Sequence, residues 1–181
     1  MRVAAFDLSL TQTGWATWDG DVRRCGTIRP KDVAMARLDR VRREVLTIAD
    51  GAELVVIEGY SYGSGNQAHQ LGELGGVVRL SLWATRQTRL YRPPFVEVPP
   101  AVLKKYATGR GNAGKEEMLV AAVRRLGYEG SNNNEADALW LLSAGLDAYR
   151  ASWAKLPEAQ VEALAKLDWP PLGGCRWVRA A

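Results

Sequence analysis

Two short apolar segments of the chain each end in a carboxylate. One runs from Val3 to Phe6 and ends in Asp7, and the other runs from Leu54 to Ile57 and ends in Glu58. Uninterrupted apolar runs of this length are typical of strands that are buried on both faces of a sheet. A carboxylate at the end of such a strand is costly unless it is paired or bound to a cation. These two acids therefore constrain both the fold and the function.

The segments around these two strands predict a mixed sheet. GWATWDG and RRCGTI follow Asp7 closely, so the first three strands are expected to form an antiparallel meander. Helical spacing of apolar residues predicts a helix over 32–50, and a second helix is expected over 67–85, after the strand that ends in Glu58. A fifth strand is expected over 91–98, near an edge of the sheet because prolines interrupt it.

The remainder of the chain is predicted to be helical. PPAVLKKYATG predicts a short helix with proline at its start, KEEMLVAAVRRLG a helix that ends at Gly127, and NNNEADALWLLSAGLDAYR a helix capped by asparagine. We expect an α/β fold: a mixed five-stranded sheet, antiparallel meander plus parallel strands, flanked by helices. This is the element order of the ribonuclease H-like fold. One domain over 1–181 is expected, with 151–181 as a Trp-containing C-terminal extension to which the sequence assigns no role.

Composition excludes several classes of site. The chain has two cysteines, far apart, and one histidine, which argues against a zinc cluster and a disulfide scaffold. The net charge of +4 is a mild bias that suits a polyanionic partner. No apolar run reaches the length of a membrane span, and we expect a cytoplasmic protein of a bacterial cell, or of an infected host if a phage encodes it. Phage or cellular origin is left open.

A third acid, Asp137, lies inside the apolar run of EADALWLLSAGL. Each acid alone could be a strand-end cap or part of a hidden salt bridge. If the first and fourth strands are neighbours, however, Asp7 and Glu58 end side by side and repel each other unless a cation lies between them. Oxygen ligands favour Mg²⁺ or Mn²⁺. We expect two ions per site and a phosphodiester substrate, with Asp7 bridging the ions.

The fourth ligand is left open between two neighbouring residues. A helix turns by about 200° over two residues, so Glu135 would face away from Asp137 unless the first turn is irregular. Asn134 lies three residues before Asp137 and shares its face. Either residue could complete the metal site.

Four motifs in order resemble the RuvC family of Holliday junction resolvases. They are FDLSLTQTGWA, VVIEGY, PPAVLKKYATGRGNAGKEEM and NEADALW, which together span roughly residues 2 to 150. The resemblance implies a homodimeric endonuclease that nicks two opposing strands of a four-way DNA junction with Mg²⁺ and leaves 5′-phosphate and 3′-hydroxyl ends. No nucleotide cofactor and no membrane contact are expected.

The resemblance also implies roles for particular residues. Asp7, Glu58 and Asp137 match metal-binding carboxylates, and the family's fourth ligand, an Asp or His, falls on Asn134, which departs from the pattern. Lys115 matches a family lysine near the cut and joins the acids, with Glu135, as a catalytic candidate. The DNA-binding candidates are Lys104, Lys105, Arg110, Lys115 and the loop tyrosines Tyr60 and Tyr62. Those tyrosines lie slightly out of register with a family aromatic that stacks on a base. The Gly-rich helix after Glu58 fits either a dimer interface or packing on its own sheet.

Three other functions are compatible with parts of the pattern. The same fold could act on other branched DNA or on RNA. The aspartate-turn-threonine-glycine loop also occurs in ATPases of the actin and sugar-kinase superfamily, but the chain is too short for two such lobes and lacks a second phosphate motif. A non-catalytic DNA-binding protein is disfavoured, because acids near phosphate weaken binding unless metals neutralise them.

Overall fold

A computed structural model of the chain describes residues 1–59, 68–88 and 93–172. Its sheet has five strands in the spatial order β3-β2-β1-β4-β5. The β1–β2 and β2–β3 pairs are antiparallel, and the β1–β4 and β4–β5 pairs are parallel. The predicted meander followed by parallel strands is therefore confirmed. The strands are β1 (Val3–Asp7), β2 (Thr13–Trp18), β3 (Arg23–Ile28), β4 (Leu54–Glu58) and β5 (Phe95–Val98).

The helices lie close to the predicted positions. They are α1 (Ala34–Ile48), α2 (Ala68–Thr88), α3 (Pro100–Thr108), α4 (Lys115–Leu126), α5 (Asn133–Ala148) and α6 (Glu158–Val161). Helix α6 is a single turn that continues as a 3₁₀ helix over Glu162–Lys166, whereas the segment PEAQVEALAKL predicts one short helix. The fifth strand is shorter than predicted and begins after Pro93 and Pro94, at the edge of the sheet as expected. Helices α3 and α4 both end at a glycine with positive φ, Gly109 and Gly127.

The sheet separates two apolar cores, and β1 contributes to both. Val3 and Ala5 face the core formed with α3, α4 and α5, whereas Ala4 and Phe6 face the core formed with α1 and α2. This alternation follows from the period of two along a strand. Because both faces are covered, the carboxyl ends of β1 and β4 emerge from a rigid and well-packed base.

Two glycines allow α5 to lie directly on the central strands. A Cβ added to Gly14 of β2 would lie 2.0 Å from the backbone carbonyl oxygen of Asn134, at the start of α5. A Cβ added to Gly145, near the other end of the helix, would lie 2.8 Å from Cγ2 of Val56. The helix is thus held against the sheet at both of its ends.

The segment after α5 returns to the core that α5 covers. Trp169 is buried and packs edge-to-face on Tyr149, while the Arg23 guanidinium lies 3.8 Å from the centroid of the Trp153 ring. Trp169 therefore belongs to this core, and Trp177 lies outside the described residues. Within the described ranges, no helix is long and apolar enough to cross a membrane.

Candidate metal and DNA site

Asp7 and Glu58 lie side by side at the carboxyl ends of two neighbouring strands. The parallel register of β1 and β4 aligns Phe6 with Ile57, so the next residue of each strand is an acid. The two carboxyl groups hydrogen-bond to each other. A hydrogen bond between carboxyl groups requires that one of them holds a proton, because two carboxylates have only acceptors.

Burial is the main reason that both acids favour the protonated state. It raises the pKa of Asp7 well above its usual range, and the charge and hydrogen bond of Glu58 raise it further. Burial also raises the pKa of Glu58, although the hydrogen bond from Asp7 and the charges of Lys104 and Lys115 oppose this. The two acids are therefore coupled, and a bound cation would favour the ionised form of both.

The third acid reaches the same region from helix α5. Asp137 lies on the second turn of this helix, and its charge contributes to the raised pKa of Asp7. Burial, followed by the charge of Glu58, raises the pKa of Asp137 to about 7. Its Oδ1 atom is buried and has no hydrogen-bond partner among the described residues. An unpartnered buried carboxylate oxygen is costly and indicates a ligand position.

Two lysines lie close enough to affect the acids. Lys115, the first residue of α4, lowers the pKa of all three, and Lys104 of α3 lowers the pKa of Glu58 and Asp137. The other predicted basic residues are placed differently. Lys105 is exposed on α3, and Arg110 forms an ion pair with Glu117 on the surface.

The two candidates for a fourth ligand are both engaged in other contacts. Glu135 accepts hydrogen bonds from the hydroxyl groups of Thr27 (2.6 Å) and Tyr128 (2.8 Å). The Asn134 side-chain amide donates to the backbone carbonyl of Gln12. The structure thus brings together Asp7, Glu58 and Asp137 but not Glu135. The loop tyrosines Tyr60 and Tyr62 lie outside the described residues.

A polar cavity of about 430 Å³ lies next to these acids and shares Lys115 with them. Its lining combines the turn after Asp7 with the start of α5: Ser9, Thr11, Gln12, Lys115 and residues 131–134. The sequence pointed to this turn only as a reversal of the chain. The turn directly follows Asp7, and this position in the sequence indicated that its polar side chains would lie near the acids.

The donor chemistry of the three acids fits a divalent cation. They supply only oxygen ligands, they crowd negative charge into a buried space, and Asp137 has an oxygen without a partner. As placed, no three Asp, Glu, His or Cys side chains of the described residues form a closed ligand set.

No family model matches the chain, but individual proteins do. It is 28% identical over 157 residues to the crossover junction endodeoxyribonuclease RuvC of Synechococcus sp. (strain WH7803), which covers 80% of this chain and 97% of the relative. It is 36% identical over 118 residues to the enzyme of the same name from Anaeromyxobacter dehalogenans (strain 2CP-C), covering 63% of this chain and 60% of the relative. The chain is thus similar in sequence to proteins named RuvC.

The fold of the chain also resembles solved structures of RuvC. Thermus thermophilus RuvC in complex with a Holliday junction substrate aligns with a TM-score of 0.61 at 24% identity, over 78% of this chain and 90% of that chain. A second structure of T. thermophilus RuvC gives a TM-score of 0.59 over the same shares. The predicted ribonuclease H-like sheet is therefore confirmed as the fold of this chain.

Proposed function

We propose that the chain is a metal-dependent endodeoxyribonuclease that resolves four-way DNA junctions. It nicks two opposing strands by hydrolysis, with water adding to phosphorus and the bond to O3′ breaking, which leaves 5′-phosphate and 3′-hydroxyl ends. The observation that carries the proposal is the meeting of three acids from β1, β4 and α5 beside two lysines. Its relatives named crossover junction endodeoxyribonuclease support the substrate.

In this proposal Asp7, Glu58 and Asp137 would hold two Mg²⁺ or Mn²⁺ ions. Such ions supply a hydroxide nucleophile and stabilise charge on the phosphodiester. Burial against two packed cores keeps the carboxylates in fixed positions, so little reorganisation accompanies the reaction. Lys104 and Lys115 pair with phosphates on either side of the cut, and the polar turn after Asp7 borders the bound strand.

The central experiment is a cleavage assay on a synthetic four-way junction with and without Mg²⁺. Asp7→Asn should abolish cleavage and leave junction binding nearly intact, because binding rests on the basic residues. Glu97→Gln is the matched control: this exposed acid is aligned with Ile57 on the next strand and pairs with Arg79 at the surface. Full activity of the Asp7 variant would remove Asp7 from the metal site.

Substrate choice is tested by cleaving a junction, a replication fork, a flap and an RNA duplex side by side. The junction should be cut fastest, with symmetric paired nicks when the products are sequenced. Equal rates on all four substrates would contradict the junction assignment and favour a nuclease of broader specificity.

We further propose that the protein acts as a homodimer through one face of α2. Gly72, Gly76, Leu80 and Trp83 share this face at helical spacing. A Cβ added to either glycine would meet nothing within 4 Å, and the Leu80 and Trp83 side chains are 62% and 50% exposed. Small residues followed by exposed apolar ones favour close packing against a second copy.

The dimer proposal is tested by light scattering on the purified protein. Leu80→Glu should convert a dimer to a monomer, since it buries a charge in the interface. Val123→Glu is the control, because Val123 is similarly exposed but lies on α4. A wild-type monomer at micromolar concentration, or a Leu80 variant that stays dimeric, would overturn this face as the interface.

A further inference from the structure

Glu135 lies two residues before Asp137 but makes very different contacts. One carboxylate oxygen accepts from Thr27 Oγ1 of β3 at 2.6 Å, and the other accepts from the Tyr128 hydroxyl, in the loop before α5, at 2.8 Å. Both oxygens are therefore occupied by protein donors. Asp137, by contrast, has a buried oxygen without a partner among the described residues. Asp137, but not Glu135, thus has a carboxylate oxygen that accepts no hydrogen bond from a described residue.

The hydrogen bonds of Glu135 belong to a network that fixes the first turn of α5. The Tyr128 hydroxyl, which donates to Glu135, accepts the backbone N–H of Asn132 at 3.2 Å. The Asn132 side chain caps the helix by accepting the backbone N–H groups of Asn134 and Glu135. The start of the helix is therefore held by the edge strand β3 on one side and by its own preceding loop on the other.

This network determines the rotation of α5 relative to the sheet. Thr27 is aligned with Gly14 across the β2–β3 pair, and the Gly14 backbone lies against the carbonyl of Asn134. A bond from Glu135 to Thr27 therefore fixes the helix beside the strand contact on which it rests. Because Asp137 is only half a turn further along, a rotation of the first turn would move its carboxylate relative to Asp7 and Glu58.

We propose that Glu135 is a positioning residue that acts through Thr27 and Tyr128 to place Asp137, and that it does not contact the metal. The inference rests on the proposed function only in taking Asp137 as a metal ligand. It resolves the choice between Asn134 and Glu135 by removing Glu135 from the ligand set. Loss of an outer contact that orients a ligand typically costs about 10- to 100-fold in metal affinity or activity.

Substitution of Glu135 by glutamine or by alanine distinguishes a positioning residue from a metal ligand. In Glu135→Gln the amide oxygen can accept from Tyr128 and the amide nitrogen can donate to the Thr27 hydroxyl, which is able to accept. This variant should bind Mn²⁺ within about threefold of the wild type, because its network is kept, whereas loss of an outer contact costs about tenfold or more. Glu135→Ala loses both bonds and should bind Mn²⁺ about 10- to 100-fold more weakly. Thr27→Val, nearly isosteric, loses one bond and should lie between them.

Mn²⁺ affinity is measured by titration calorimetry on the full chain without DNA, with Asp137→Asn as the variant that lacks a ligand. The free energy of unfolding in urea is measured on the same proteins. If Glu135 had a merely structural role, the substitutions would lower this free energy but would not weaken Mn²⁺ binding in the order Glu135→Gln, Thr27→Val, Glu135→Ala. A Gln variant as weak as Asp137→Asn would overturn the proposal and make Glu135 a ligand. An Ala variant with wild-type affinity would overturn it as well.

Junction cleavage is assayed in parallel, so that the two proposals can fail separately. If the wild type binds Mn²⁺ but cuts no junction, the proposed function fails, while the order of affinities still decides the role of Glu135. If the wild type cuts the junction and the three substitutions share one affinity, the positioning role fails alone. Absence of Mn²⁺ binding by the wild type overturns the positioning role, because no metal site would then be present.

Discussion

Helix α5 carries a largely buried aspartate near each end, and the two differ in what their oxygens contact. Asp147 accepts the Tyr106 hydroxyl at 2.5 Å on one oxygen and the Ser152 hydroxyl on the other. Asp137 has a buried oxygen without a partner among the described residues and faces other acids and two lysines. Burial raises the pKa of both. Burial alone therefore does not distinguish the two aspartates, whereas the unpartnered oxygen of Asp137 does.

The largest expected difference between Asp137 and Asp147 is in junction cleavage. Asp137→Asn should reduce junction cleavage by about 10³-fold or more, because charge stabilisation by a bound metal is worth several kcal/mol. Asp147→Asn should cleave at nearly the wild-type rate, since Asp147 lies outside the metal site. Single-turnover cleavage rates at saturating Mg²⁺ provide the measurement. Similar losses in both variants would break the distinction between the two ends of α5.

A second effect separates them by stability. Asp147→Ala removes the acceptor shared by the hydroxyls of Tyr106 and Ser152, and the Tyr106 hydroxyl keeps only Ser143, at 2.8 Å, as a partner. Loss of a partner by a buried polar group costs about 1–3 kcal/mol. Asp137→Ala removes an acid that has an unpartnered oxygen and should cost much less. Urea denaturation of both alanine variants, without divalent cations, gives the comparison. Equal losses of unfolding free energy would show that the Asp147 network contributes little to the fold.

A third effect concerns the pH dependence of stability, on the order of 1 kcal/mol for each unit of pKa shift. A raised pKa in the folded state means that the stability contribution is full below the unfolded pKa of an aspartate, about 4, and is lost as the pH rises through the folded pKa. For Asp137 the loss should extend to about pH 7. Without cations, Asp137→Asn should therefore gain stability relative to the wild type between pH 4 and 7.

Mg²⁺ sharpens this third comparison. The cation stabilises the ionised forms of the three site acids but not that of Asp147, so at pH 7 it should reverse the advantage of Asp137→Asn and leave the difference between Asp147→Asn and the wild type unchanged. Thermal unfolding midpoints of the three proteins, with and without Mg²⁺, test this. An equal response of both variants to Mg²⁺ would contradict a cation at Asp137.

The sheet and its acids were predictable because they depend on local patterns. The apolar runs that end in Asp7 and Glu58 identify strands β1 and β4, and the short connections predict the meander, so the pairing of the two acids follows from topology alone. The cap at Asn132 was likewise visible in the run of asparagines. Each strand and the cap are recognised from residues that are close in sequence, and the pairing of Asp7 with Glu58 then follows from the order of the strands.

The contacts that escaped prediction join residues that are distant in sequence. Tyr106 bonds to Asp147 across 41 positions, and Thr27 bonds to Glu135 across 108. The periodicity of apolar residues does not predict contacts between side chains this far apart in the sequence. Helical geometry did predict that Glu135 faces away from Asp137, but it could not identify Thr27 and Tyr128 as the partners. The apolar spacing of the last helical segment also did not predict its division into one turn of α-helix and a 3₁₀ helix.

The contact between Gly14 and the start of α5 has a consequence for sequence variation. Since a Cβ at position 14 would lie 2.0 Å from the carbonyl oxygen of Asn134, any other residue must push the first turn of the helix outward. The Gly145 contact at the far end would still hold, so the helix would tilt rather than detach. In a library of single substitutions, position 14 should thus yield chains that accumulate as folded protein and fail selection for DNA processing.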